Sequence, residues 1–122
     1  KLRLSAWNWS WCGIFLNVHE GPQSLSKNNK VNLKNGMILS NEPGFYKDGA
    51  FGIRIENMIY INKNKFEELT IAPIEKSLIN KKILDKNEIK WINSYHKKVK
   101  KSLFKFMSQN EKNDLIDACS PI

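Results

Sequence analysis

The feature that most constrains the fold of this chain is a pair of apolar runs separated by a Pro-Gly dipeptide. The first run, residues 37–39, is followed by Pro43-Gly44, which stops a strand and opens a turn. The second run, residues 53–61, alternates with period two, with isoleucines at 53, 55, 59 and 61 on one face. The sequence therefore predicts two strands that pair as an antiparallel hairpin, with residues 53–61 as one continuous strand.

This hairpin brings two carboxylates and an arginine together. Glu42 lies at the end of the first strand, and Arg54 and Glu56 project from one face of the second. One interpretation is a solvated ion pair, because most charged side chains on strands are exposed. The other is a divalent-cation site, because converging carboxylates repel each other unless a cation neutralises them. Met58 and Tyr60 make the same face half apolar, so we expect Glu56 at the mouth of a covered cavity.

Three ordered blocks of sequence resemble one known family. They are Asn17-Val-His-Glu-Gly-Pro22, Asn41-Glu-Pro-Gly-Phe-Tyr46 and Asp48-Gly-Ala-Phe-Gly-Ile-Arg-Ile-Glu-Asn57. From about Phe15 onward the chain resembles the C-terminal part of the catalytic domain of Xaa-Pro aminopeptidases (aminopeptidase P), which are pita-bread metallopeptidases. The resemblance implies an α+β fold: the distal half of a pita-bread (creatinase/aminopeptidase-like) domain, with an antiparallel hairpin followed by C-terminal helices.

The resemblance also implies a role for each candidate residue. Glu42 matches a carboxylate that ligates one metal ion and acts as acid or base toward the attacking water. Glu56 matches the carboxylate that bridges two metal ions, and Arg54 matches an arginine that supports the site by hydrogen bonding. His19 matches a histidine that contacts the substrate near the scissile bond without binding metal. The implied cofactors are two divalent metal ions, with manganese favoured and zinc as the alternative.

The implied activity is removal of the N-terminal residue from peptides with proline in the second position. The expected partners are such peptides, the N-terminal half of the catalytic domain and, in the parent protein, a second copy as a homodimer. The alternative is a non-catalytic pita-bread-like module that binds protein or RNA. Such modules usually lose the ligand carboxylates, whereas Glu42 and Glu56 are both present here. We expect a cytoplasmic protein with neither a nucleic-acid nor a membrane partner.

The ligands expected before the hairpin are absent. The family pattern requires two earlier aspartates, but no aspartate precedes Asp48. It also requires a ligand histidine in a Gly-His-Gly block, and the matching position is Ser10, whose hydroxyl is a poor substitute for an imidazole. We therefore expect a fragment that by itself binds no stoichiometric metal and cleaves no Xaa-Pro peptide.

The first residues of the chain do not follow the family pattern. Trp7, Trp9 and Trp11 alternate, which is typical of an aromatic stripe on one strand face. A frameshift of a glycine-rich segment also yields Trp-Ser-Trp, and we favour this explanation. The expected organisation is a doubtful segment over residues 1–13, the distal part of the catalytic domain over 14–75 and a helical extension over 76–122.

The remaining sequence predicts short strands, turns and helices. Turns are expected at residues 35–36 and 62–65, and a short strand over 68–73. Asp85 and Glu88 form a capping-box pattern that begins a helix extending to about Met107, and a last helix is expected over 111–118. His96 lies on the apolar stripe of the long helix, so we expect it to be structural.

Charge and cysteine content exclude little. The net charge is +8, but the basic residues are spread along the chain and do not interleave with aromatic residues on one strand face. Cys12 and Cys119 lie at opposite ends of the chain and indicate no disulfide framework. The sequence contains neither a secretory signal nor an apolar run of about 18 residues.

Overall fold

The computed structural model describes residues 30–122, together with the backbone of two short strands before them. The tryptophan stripe, Ser10 and the suspected frameshift lie outside the described residues, as does the side chain of His19. The chain divides between Thr70 and Ile71 into two compact units.

The described part of the first unit contains short antiparallel strands. β1 pairs with β2, β6 lies between β3 and β7, and β4 pairs with β5. The bounds are β1 (Cys12–Gly13), β2 (Val18–His19), β3 (Ile38–Asn41), β4 (Gly44–Lys47), β5 (Phe51–Arg54), β6 (Asn57–Asn62) and β7 (Lys65–Glu68).

The predicted hairpin is confirmed, but it is divided into two ladders. Leu39 on β3 pairs with Ile59 on β6, whereas β4 pairs with β5 nearer the turn. The prediction of one continuous strand over residues 53–61 is wrong, because the second strand breaks at residues 55–56. Pro43 has no N–H to donate, so only its carbonyl takes part, accepting from the Ile55 N–H at 3.2 Å.

The break also divides the predicted apolar face. Ile59 and Ile61 are 6% and 5% exposed and form a core cluster with the fully buried Leu39. Ile53 and Ile55 remain 44% and 46% exposed, although they belong to the same alternating pattern. Burial therefore follows the β3–β6 ladder and stops where that ladder stops.

Both predicted turns are confirmed. Gly36 adopts a positive φ of 85° in the turn before β3. β6 and β7 are joined at Lys63 and Asn64, which also have positive φ, as a two-residue hairpin turn of the right twist requires. The Asn64 N–H donates to Asn35 Oδ1 at 3.0 Å and ties the two turns together.

The predicted strand over residues 68–73 is wrong. The strand is β7, which ends at Glu68. Beyond it, the Met58 N–H donates to the Thr70 hydroxyl at 2.7 Å, while the Leu69 N–H donates to the Met58 carbonyl at 2.8 Å. A side-chain oxygen thus takes the hydrogen bond that the strand backbone would need to continue the ladder.

The second unit, Ile71–Ile122, is built on α1 (Lys86–Leu103) and α2 (Gln109–Ala118). The predicted capping box is confirmed: the Glu88 N–H donates to the Asp85 carboxylate at 2.9 Å, and the Asp85 N–H donates to the Glu88 carboxylate at 2.8 Å. The helix ends before the predicted Met107, because residues 104–106 tighten into a 3₁₀ turn. Leu103 precedes this turn and Met107 follows it, and both side chains pack against the core.

α2 begins two residues before its predicted start. Ser108 and Glu111 form a second capping box, a signal that the prediction overlooked. The core of the unit contains Tyr95 and Val99 from α1, together with Leu115 and Cys119. Among the described residues, no helix is long and apolar enough to cross a membrane.

His96 is structural, as predicted from the apolar stripe. Its side chain is fully buried, and its Nε2 accepts a hydrogen bond from the Ile74 N–H at 3.1 Å. Because Nε2 accepts this bond, the proton of the neutral ring is on Nδ1, which has no hydrogen-bond partner among the described residues. Burial, and then the nearby charge of Lys76, lowers the pKa of His96 below its ordinary value of 6.5.

The buried His96 makes the second unit sensitive to acid. The folded-state pKa of His96 lies below the unfolded value, so folding favours the neutral ring. The stability that depends on the neutral ring is fully present above about pH 6.5 and is lost as pH falls through the folded pKa. Protonation also converts Nε2 into a donor and breaks the bond from Ile74. We expect the melting temperature, followed by helical circular dichroism, to fall from pH 7.5 to 5.

The matched variants are His96→Gln and His19→Gln. The first retains an acceptor without a titrating group and should weaken the pH dependence. The second removes the other histidine of the chain and should leave the pH dependence intact. An unchanged pH dependence in His96→Gln would contradict this assignment.

Candidate functional site

The break in the hairpin places the candidate site residues. Glu42 follows the last residue of β3, Arg54 is the last residue of β5, and Glu56 immediately precedes β6. Glu42 and Glu56 therefore lie in the gap between the two ladders, and Arg54, which pairs with Gly44, borders that gap. Functional side chains are often displayed from such irregular segments held between regular ones.

Arg54 connects the two carboxylates. Its Nη2 lies 3.2 Å from Glu56 Oε2, and its Nη1 lies 3.7 Å from Glu42 Oε2. The structure thus brings together three of the four predicted site residues. The planar guanidinium can contact two anions at once, which the single ammonium of a lysine does less well.

Glu42 is the more protected of the two carboxylates. Its side chain is 12% exposed, and its Oε1 accepts a hydrogen bond from Ser40 Oγ at 2.6 Å. Ser40 is itself 1% exposed and belongs to β3. The sequence interpretation missed Ser40, although residues two apart on a strand share a face. The hydroxyl and the guanidinium therefore orient one carboxylate oxygen each.

Tyr46 is a second residue that the sequence interpretation missed. Its hydrogen bond to Arg54, followed by the charge of Glu56, raises the pKa of Arg54. The Tyr46 ring lies across two glycines, because a Cβ at Gly44 or Gly52 would come within 2.8 or 2.7 Å of it. Gly52 pairs directly with Tyr46 across the ladder. The sequence signal was the presence of glycines at position 44, two residues before Tyr46, and at position 52, opposite Tyr46 in the hairpin, because both leave room for the ring.

The surroundings of Glu56 differ from those predicted. Its side chain is 40% exposed, so the described residues do not form the covered cavity expected around it. The cavity prediction assumed an apolar face along residues 53–61, and that face ends where the strand breaks. Glu56 is therefore open to water or to a further part of the site.

His19 is the fourth predicted residue. It belongs to β2, where its backbone pairs with Cys12 on β1. Its side chain lies outside the described residues, so its role near a substrate stays a prediction.

The donors present fit part of a metal site. Glu42 and Glu56 offer oxygen ligands of the kind that hard divalent cations prefer. Within residues 30–122, however, no group of three or more histidine, cysteine, aspartate or glutamate side chains is placed to hold an ion. Two carboxylates are fewer than the three or more protein ligands that such sites ordinarily use. The described residues therefore fit as part of a ligand set and not as a whole one.

Two carboxylates held close together are compatible with a hydrolase that uses divalent cations, because carboxylate oxygens are ligands that such cations prefer. Comparison with known families agrees with this class. Residues 10–63 match the model of metallopeptidase family M24, and residues 63–122 match the model of the C-terminal region of that family. The chain belongs to metallopeptidase family M24.

The individual relatives are similar in sequence but much longer. Aminopeptidase P2 of Arabidopsis thaliana is 46% identical over 101 residues, which cover 71% of this chain and 14% of the relative. Xaa-Pro aminopeptidase 1 of Dictyostelium discoideum is 47% identical over 100 residues, which cover 71% of this chain and 16% of the relative. The chain thus spans less than a fifth of the length of these two relatives.

A solved structure shows the same fold. The X-prolyl aminopeptidase of Caenorhabditis elegans, described as a cytosolic enzyme with a di-nuclear active site, matches with a TM-score of 0.77 and 34% identity. The match covers 95% of this chain and 21% of that protein. The predicted α+β class and the predicted pita-bread relationship are confirmed.

The packing of Tyr46 on Gly52 can be tested by filling the space. In Gly52→Ala, the new Cβ would lie 2.7 Å from Tyr46 Cδ1 and displace the ring from Arg54. We expect a loss of about 1 to 3 kcal/mol in the free energy of unfolding, measured by denaturant titration. The exposed Lys47→Ala on the same hairpin should change it by less than about 0.5 kcal/mol.

The same clash predicts coupling between the two positions. In a Tyr46→Ala background the ring is gone, so Gly52→Ala should cost clearly less than in the wild-type chain. Equal costs in both backgrounds would show that the cost of Gly52→Ala does not come from a clash with the Tyr46 ring.

Proposed function

We propose that this chain is the C-terminal part of the catalytic domain of a metal-dependent exopeptidase that removes the N-terminal residue from peptides with proline in the second position. The observation that carries the proposal is the bridge from Arg54 to Glu42 and Glu56, in a chain of family M24. The names of the relatives support the substrate class. Retention of both carboxylates argues against a non-catalytic binding module.

Each described residue has a definite part in this proposal. Glu42 and Glu56 contribute carboxylate ligands, and Glu42 also exchanges a proton with the attacking water. Ser40 orients Glu42 by donating to Oε1, and this leaves Oε2 facing Arg54. Arg54 keeps the two carboxylates at their separation and offsets their mutual repulsion. When bound, two divalent metal ions supply Lewis acidity and a more acidic water.

The remaining ligands and partners come from outside the described residues. The proposal requires the N-terminal half of the catalytic domain, which contributes the other metal ligands, and His19 beside the substrate. Two metal ions are supported by the di-nuclear site of the Caenorhabditis elegans enzyme, and manganese is our preferred metal, with zinc as the alternative. A cytoplasmic location is supported by the description of that enzyme as cytosolic. A homodimer of the parent protein is part of the same proposal.

The decisive variant is Glu56→Gln in the parent protein. An amide cannot neutralise two cations as a bridging carboxylate does, so we expect turnover of a proline-second peptide to fall by more than about 100-fold. We also expect less retained metal, measured by elemental analysis of the purified protein. Glu75→Gln, an exposed glutamate of the second unit, is the matched control and should change neither quantity.

Two further variants separate the proposed roles. Arg54→Lys retains the charge and should cost less turnover than Glu56→Gln. His19→Ala should lower turnover by about 100-fold and leave bound metal unchanged, because the histidine is proposed to contact substrate and not metal. A fully active Glu56→Gln, with its metal retained, would refute the assignment of the site.

A further inference from the structure

The outer face of α1 has an unusual charge pattern. From Ile89 to Asn110 the sequence contains six lysines and neither aspartate nor glutamate. Four of these lysines, at positions 97, 98, 101 and 105, are exposed and line one groove, and we call Lys97, Lys101 and Lys105 the lysine row. The groove has a volume of about 840 Å³ and is also lined by Ser94, Ser102 and Phe106.

The lysine row opposes the stability of its own helix. Lys97 and Lys101 are four residues apart, and side chains at this spacing are neighbours on a helix. Like charges at such spacings each destabilise a helix by a few tenths of a kcal/mol. No acidic residue lies within four positions of any member of the row. The row therefore favours a partner that supplies negative charge.

The spacing of the row fits one kind of partner. Lys97 and Lys101 are separated by one helical turn, about 6 Å along the axis. In an extended peptide, every second side chain points the same way and recurs after about 6.6 Å. Acidic residues at alternate positions of an extended peptide can therefore meet successive lysines. Ser94 and Ser102 line the same groove and offer hydroxyl donors to carboxylates.

The surroundings of the row favour a peptide over other polyanions. Single-stranded nucleic acid is ordinarily bound by aromatic side chains that stack on the bases, and among residues 30–122 Phe106 is the one aromatic residue that lines this groove. A helix that lies on a membrane inserts its apolar face, whereas Ile92, Tyr95 and Val99 of α1 are buried in the protein. Trp91 of α1 is 53% exposed but does not line the groove. Phe106 is 75% exposed at one end of the groove and can contact an apolar residue of a peptide.

We propose that the groove of the lysine row binds an extended acidic segment of a partner protein, with aspartate or glutamate at alternate positions. This interaction is separate from the proposed peptidase function. It depends on the second unit alone and requires no metal.

The proposal can be tested on the 122-residue chain with a fluorescent peptide of alternating aspartate and serine, about twelve residues long. Fluorescence anisotropy should show binding that weakens as salt is added. The triple variant Lys97→Gln/Lys101→Gln/Lys105→Gln should bind at least about tenfold more weakly. Circular dichroism of each variant verifies that the helices remain.

The controls separate a specific groove from general attraction. Lys81→Gln/Lys82→Gln/Lys86→Gln removes the same charge from exposed lysines outside the groove and should change affinity by less than about threefold. A peptide of the same composition, with its aspartates in one block, should bind more weakly than the alternating peptide. Equal loss in the two triple variants, equal binding of the two peptides, or no binding at all would overturn the proposal.

Two further probes test whether nucleic acid or a membrane occupies the groove instead of a peptide. Oligothymidylate of similar charge and vesicles containing an anionic phospholipid are each titrated against the wild-type chain and the groove variant. The proposal expects either probe to bind more weakly than the alternating peptide at equal ionic strength. Tighter binding of either probe, lost in the groove variant, would assign the lysine row to nucleic acid or to membrane and overturn the peptide proposal.

Discussion

Pro43 cannot donate a backbone hydrogen bond, and the arrangement of the candidate site depends on that fact. The β3–β6 ladder ends before Pro43, and the β4–β5 ladder begins just after it. Glu42 and Glu56 occupy the gap between the two ladders, and Arg54 borders it. The two ladders share one register, and in that register Glu42 lies opposite Glu56. One guanidinium, at the end of β5, contacts both carboxylates.

Around this gap, further contacts hold the charged groups in place. Ser40 is buried and donates to Glu42, while Tyr46 hydrogen-bonds to Arg54 and lies over Gly52. Ser40 lies on β3, Tyr46 on β4 and Gly52 on β5, so both arms of the hairpin contribute. Each restricts a side chain that would otherwise lose conformational entropy on binding a metal ion or substrate. The site is thus partly organised by this segment, although the described residues supply only two carboxylates of the ligand set.

Much of this arrangement could be predicted from the sequence, because it follows from local signals. Alternating isoleucines and the Pro-Gly dipeptide predicted the hairpin, and Asp85 with Glu88 predicted the start of α1. The start of α2 was misplaced because the local capping box of Ser108 and Glu111 was overlooked. Other errors arose where a contact outside the segment, or a break in pairing, decides the local structure. Thr70 bonds to Met58 and ends a predicted strand, and the hairpin break exposes isoleucines that the alternating pattern placed in a core. Ser40 and Tyr46 were missed because hydroxyl groups acquire a role only when a charged partner is brought beside them.

The central claim is that Glu42 and Glu56 are part of a metal site that other residues must complete. The most direct test is isothermal titration with manganese of the 122-residue chain and, in parallel, of the parent protein. We expect stoichiometric binding by the parent and none by the chain alone, because two carboxylates connected by an arginine are too few to hold an ion. Micromolar binding by the 122-residue chain, or no binding by the parent, would contradict it.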